Sequence, residues 1–131
     1  MLTDINHCLQ AYLLSEKENE AFNSDDSTFA FLHKLLNSAI KSENHQSKAF
    51  GFSTVETVVA LNKLAANDLN KERIVKAGIL PDYIRLLQDD CCIDEHRAVS
   101  QGLWTLAFRC RDDVAKEPGC IEGLNSFRHY N

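Results

Sequence analysis

The sequence of 131 residues contains no hydrophobic run that approaches the roughly 20 residues needed to cross a bilayer, so we expect no membrane partner. It also lacks a cluster of basic residues, because Lys and Arg occur singly or in pairs and the net charge is −5. Nucleic acids are bound by concentrated basic faces that neutralise phosphates, so we expect no nucleic-acid partner. The first residues have no positive flank and reach Asp4 at once, which is unlike a secretory signal.

A disulfide framework is missing as well. An odd number of cysteines without regular spacing is typical of reduced thiols, which act as small packing residues or exposed loop groups. The five cysteines are Cys8, Cys91, Cys92, Cys110 and Cys120. We therefore expect an intracellular, cytoplasmic protein.

Signatures of catalysis and of cofactor binding are also missing. The sequence has no glycine-rich phosphate loop and no His-Glu-x-x-His pair. Cys91, Cys92 and His96 lie close together, but adjacent cysteines are not a standard zinc spacing, and we interpret His96 as an exposed residue at a helix start. The other histidines lie in no nucleophile motif and are expected at the surface. We predict a non-catalytic protein with no cofactor and no metal.

Apolar residues do recur at helical spacing, and no segment shows the two-residue alternation of a strand, so the predicted fold class is all-α. Paired aspartates fall at several expected helix ends, where acids cap the helix or favour its N-terminal dipole. Helix starts are expected at the capping residues Ser24–Thr28, at Ser53 or Thr54, and at Asp94. Helices are expected near Ile5–Leu13, Phe29–Ile40, Val55–Ala65, Asn70–Ala77, Tyr83–Leu87, Glu95–Arg109, after Asp112, and over Ile121–Phe127.

An internal repeat gives this helical pattern its order. The Leu-x-x-Leu-Ala motif of Leu61–Ala65 recurs at Leu103–Ala107, 42 residues later. The glycines that follow short helices, Gly78 and Gly119, are 41 residues apart. Helical repeats of the armadillo and HEAT types have periods of roughly 40–47 residues. Each glycine is expected to make a sharp turn with positive φ between two helices.

The order of a short helix ending at Gly, a second helix beginning near Pro81 and a long third helix resembles the armadillo repeat family. The resemblance implies a short right-handed α-α superhelix, an armadillo-type solenoid, with one complete repeat flanked by partial repeats. Residues 1–131 would form one domain, with a partial repeat at 24–66, a complete repeat at 70–109 and a truncated repeat at 112–131.

The same resemblance implies a groove lined by the long helices, which would bind a protein or an extended peptide. The residues expected to line it are Glu56, Lys63, Gln101, Thr105 and Arg109. Trp104 is expected to pack in the core between repeat units. Two alternatives are a regulatory or scaffold fragment of a larger signalling protein or enzyme, and a piece that self-associates through its incomplete terminal repeat.

Overall fold

The computed structural model of the protein describes residues 25–42, 53–88 and 92–120. These ranges contain five α-helices and no β-strand, so the all-α prediction is confirmed for them: α1 (Asp26–Lys41), α2 (Thr54–Leu64), α3 (Asp68–Lys76), α4 (Leu80–Gln88) and α5 (Ile93–Lys116). None of the five combines the length and the apolar content that a bilayer crossing requires. The helices predicted near Ile5–Leu13 and Ile121–Phe127 lie outside the described residues.

Side-chain caps explain where the first three helices begin. The Asp25 carboxylate accepts a hydrogen bond from the Thr28 amide at 3.1 Å, as expected of an acid at a helix start. Ser53 and Glu56 form a reciprocal capping box at the start of α2. Asn67 accepts from the amides of the first turn of α3, which therefore begins at Asp68, two residues before the predicted Asn70.

The two glycines of the repeat adopt the conformation expected of them. Gly78 has φ of 87° and Gly119 has φ of 84°, the left-handed region in which a side chain is strained. Gly78 separates α3 from α4, and Gly119 follows the end of α5. Pro81 lies in the first turn of α4, where its missing N–H needs no partner.

Helix α5 differs from its prediction at its start. It begins at Ile93, after an N-cap residue, Cys92, whose side chain makes no capping hydrogen bond, so Asp94 lies in the first turn and is not the cap. Cys110 has non-helical angles, φ −117° and ψ 44°, so α5 consists of two helical parts that meet at a kink, one ending at Arg109 and one running from Arg111 to Lys116. The break predicted between Arg109 and the short helix after Asp112 is therefore present, at Cys110.

The hydrophobic core lies where α5 packs against α2, α4 and α3, with its most extensive contacts to α2. Leu61 and Leu64 of α2 belong to the same buried cluster as Leu103 and Leu106 of α5, and Tyr83 is part of it. Burying a Leu side chain contributes about 1.5–3 kcal/mol, so these repeated leucines account for much of the stability. α1 covers the α2 side of this cluster with a buried stripe of Phe29, Leu32, Leu35, Leu36 and Ala39.

The prediction that His96 is exposed is wrong. Its side chain is 2% exposed, whereas the sequence pattern favoured a solvent-facing residue. His96 precedes Val99 and Leu103 by three and seven residues, so it shares their inward stripe on α5. A helix-start position was wrongly equated with exposure.

Candidate functional site

The two groove residues predicted on α2 have different surroundings. Glu56 is exposed, and its carboxylate accepts a hydrogen bond from the Ser53 amide at 3.0 Å in the capping box. Lys63 lies one residue before the end of α2 and is half-buried. The capping box at the start of α2 therefore accounts for Glu56 without a role in binding.

The three groove residues predicted on α5 follow one another at four-residue spacing. The Thr105 hydroxyl donates to the Gln101 carbonyl oxygen at 2.9 Å, a contact within the helix. Arg109 Nε donates to Glu72 Oε1 of α3 at 3.1 Å, and both side chains are half-exposed. Such a surface pair stabilises a protein by no more than about 1 kcal/mol. Gln101, Thr105 and Arg109 share one side of α5, and Arg109 links it to α3.

Trp104 does not pack in the core between units, contrary to the prediction. Its side chain is 71% exposed, and that of Phe108 is 75% exposed. The two rings meet edge to face, with centroids 5.9 Å apart and an interplanar angle of 86°. A shallow depression beside them is lined by Trp104, Ala107, Phe108 and Arg111. Trp104 points outward because it is one position after Leu103, about 100° around the helix from the buried stripe.

The aromatic pair belongs to a longer surface that we call the open face of α5. It contains Ile93, Arg97, Trp104 and Phe108, whose spacings of four, seven and four residues keep them on one side of the helix. Arg111 follows the kink at Cys110 and belongs to the same face because it lines the depression beside the two rings. Three of the four exposed large hydrophobic side chains among the described residues lie on this face. The two rings and Ala107 form its contiguous apolar part, and exposed apolar surface of this kind is typical of interaction sites.

The internal repeat shows that the corresponding face of α2 is covered. With Leu61 aligned to Leu103, Trp104 occupies the position of Asn62. Asn62 Nδ2 donates to the Ala98 carbonyl oxygen of α5 at 2.9 Å. A Cβ added to Gly102 would lie 2.5 Å from Asn62 Oδ1, so the two helices cross closely at this point. In the first copy, α5 packs on the face of α2 that carries Asn62. In the second copy, the equivalent position on α5 is Trp104, and it is exposed.

A second polar cluster joins α1 to α4. His33 Nδ1 lies 2.9 Å from Asp82 Oδ2, and Asn37 Nδ2 donates to Asp82 Oδ1 at 3.3 Å. Burial raises the pKa of the Asp82 carboxyl, and the His33 and Asn37 contacts partly offset that effect. Because these contacts join a side chain of α4 to two of α1, we interpret the cluster as a structural link between the helices.

The surroundings of Cys110 are the reverse of those that activate a thiol. Burial, followed by the negative charge of Asp113 and Glu72, raises the pKa of Cys110, which disfavours the reactive thiolate. In residues 25–42, 53–88 and 92–120, no group of three or more His, Cys, Asp or Glu side chains is arranged to hold a metal ion. Cys91, one of the three ligands considered for zinc, lies outside those ranges.

No protein-family model matches the chain. Searches of curated proteins and of solved structures also return no match. Function must therefore be argued from the residues of this chain. The open face of α5 was not predicted from the sequence, although the helical spacing of its residues is present there. Trp104 was placed in the core because of its residue type, whereas its position around the helix places it outside.

Proposed function

We propose that the protein is a non-catalytic, intracellular interaction module with an armadillo-like arrangement of helices, and that it binds a protein segment along α5. The repeat supports the armadillo-like part of the proposal. The leucines of both Leu-x-x-Leu-Ala copies are buried in the same core, and two equivalent turns use a glycine with positive φ. A right-handed superhelix that continues this pattern is part of the same proposal.

The observation that carries the binding part is the exposed Trp104–Phe108 pair. Exposing two large rings side by side forgoes the free energy of burying them, and aromatic side chains are enriched at the centres of protein interfaces. Gln101 lies on the same helix, three residues before Trp104, and belongs to the proposed rim of the site. The expected polar groove of Glu56, Lys63, Thr105 and Arg109 remains a prediction, to which this aromatic centre is added.

Site-specific photocrosslinking tests the proposal. Replacing Phe108 by a photoreactive phenylalanine derivative keeps the ring and places the reactive group on the open face of α5. In cells, we expect a discrete adduct with another protein that disappears when Trp104→Ala is added. The matched control carries the same derivative at Lys34, an exposed position on α1.

The adduct pattern decides between the alternatives. No adduct at position 108, or the same adducts at positions 34 and 108, would contradict binding at this face. An adduct of twice the mass of the chain would instead support the self-associating alternative, because the exposed rings would then cover a second copy.

A further inference from the structure

We infer that the segment bound on the open face of α5 is an acidic amphipathic helix. In this arrangement its small apolar side chains cover Trp104 and Phe108, and its carboxylates pair with Arg97 and Arg111. The inference rests on the proposed function and specifies the chemistry of the partner.

The repeat is the reason for a helix. In the first copy, the face of α2 that carries Asn62 is covered by another helix, α5, which presents Ala98 and Gly102 at the crossing. Trp104 stands at the Asn62 position of the second copy, so an occupant that follows the same arrangement is also a helix with small residues at the crossing.

The dimensions of the open face suit such an occupant. From Ile93 to Arg111 the face covers 19 residues, and their 18 steps of 1.5 Å amount to about 27 Å, or about five helical turns, with the kink at Cys110 just before its last residue. An amphipathic helix of that length would cover both rings and reach the arginine near each end.

The charges are the reason for acidity. Arg97 and Arg111 each lie seven residues from Trp104, on either side of it, and both are exposed. Neither forms an ion pair with another residue in the described part of the chain. Two exposed acids lie close to them in sequence: Asp94, three residues before Arg97, and Asp112, next to Arg111. The guanidinium group pairs with carboxylates in a bidentate geometry, so two arginines around an aromatic centre favour an acidic segment over a basic one.

Trp104 is the only tryptophan of the chain, so its emission reports directly on this face. The probe is a synthetic helical peptide of about 20 residues, long enough to span the face. It carries an Ala and Leu stripe flanked by Glu and contains no Trp or Tyr. We expect saturable binding with a blue shift of the emission. A peptide with Lys in place of every Glu should bind at least about tenfold more weakly, because like charges would meet across the interface.

A charge-reversed protein provides the second arm. The double variant Arg97→Glu and Arg111→Glu should lose at least about tenfold in affinity for the Glu peptide and should prefer the Lys peptide. The matched control, Lys34→Glu with Lys41→Glu, changes the net charge equally on α1 and should keep the preference of the parent protein. Circular dichroism of all variants confirms that the helices are retained.

Several outcomes would overturn the inference. Equal affinity for the Glu and Lys peptides, or an unchanged preference after the double reversal, would show that the arginines do not select the partner. A blue shift that grows with protein concentration alone would assign the face to a second copy, and one seen only with phosphatidylserine vesicles would assign it to a lipid surface. If the crosslink at position 108 persists while the peptides fail to bind, the proposed function stands and the acidic helix is wrong.

Discussion

Gly78 and Gly119 close equivalent turns in the two copies of the repeat, and their backbones are nearly the same, with φ of 87° and 84°. Their surroundings differ. A Cβ added to Gly78 would meet nothing within 4 Å, whereas one added to Gly119 would lie 2.9 Å from Ile84 Cγ2 and 3.0 Å from Gln88 Nε2. The repeat therefore preserves a backbone conformation, while the space around it depends on what packs against each copy.

The equivalent positions on the two long helices differ in the same way. Asn62 of α2 is half-buried and hydrogen-bonded to α5, whereas Trp104 of α5 is largely exposed. The neighbouring pair, Ala60 and Gly102, is buried in both copies. One helix face is thus an internal contact in the first copy and a surface in the second, which is why a binding site is proposed only on α5.

The largest expected effect concerns the leucines, which are buried in both copies of the repeat. Leu61→Ala and Leu103→Ala each remove a side chain that is no more than 1% exposed from the shared core. Each should lower the free energy of unfolding by about 2–5 kcal/mol. Urea denaturation followed by circular dichroism measures both. A loss below about 1 kcal/mol at Leu103 would break the equivalence of the two copies.

The same Gly→Ala substitution should lower the free energy of unfolding by different amounts at the two glycine turns. Gly78→Ala introduces only the strain of a side chain at positive φ, about 1–2 kcal/mol. Gly119→Ala adds the crowding against Ile84 and Gln88, so we expect a total of about 2–4 kcal/mol. Urea denaturation of both variants measures the difference. Equal losses at the two positions would mean that the second turn relaxes away from α4 at little cost.

The polar link between α1 and α4 should depend on pH. Burial raises the pKa of Asp82 above its ordinary value of 3.8, so the unfolded chain releases this proton first as the pH rises. The contribution of the carboxyl to stability should therefore fall as the pH increases from below 3.8 through the raised value. Asp82→Asn does not titrate, and its stability relative to the parent protein should improve over that window.

Urea denaturation of both proteins across this pH range measures the effect of Asp82. A stability difference that stays constant would show that the Asp82 carboxyl titrates equally in the folded and unfolded states. A difference that shifts toward the parent protein with rising pH would mean that the His33 and Asn37 contacts outweigh burial.

Local signals explain which features of the fold were predictable from sequence. The cap at Asp25, the start of α2 near Ser53 and the turns at Gly78 and Gly119 depend on neighbouring residues, and the structure agrees with the predictions there. The contact between His33 and Asp82 joins residues 49 positions apart and left no trace in the periodicity. Trp104 was placed wrongly because residue type was given more weight than helical phase.

The smallest expected effect on stability concerns the equivalent positions Asn62 and Trp104, and it tests whether the Trp104 ring is at the surface or in the core. Asn62→Ala removes the hydrogen bond to α5 and should destabilise the protein by about 1 kcal/mol. Trp104→Ala should change the free energy of unfolding by no more than about 0.5 kcal/mol, because a ring that is 71% exposed gains little from folding. Circular dichroism must follow unfolding, since this variant has no tryptophan emission. A loss of about 3–5 kcal/mol, as for a core tryptophan, would show that the second copy buries this face and that the proposed docking site is part of the core.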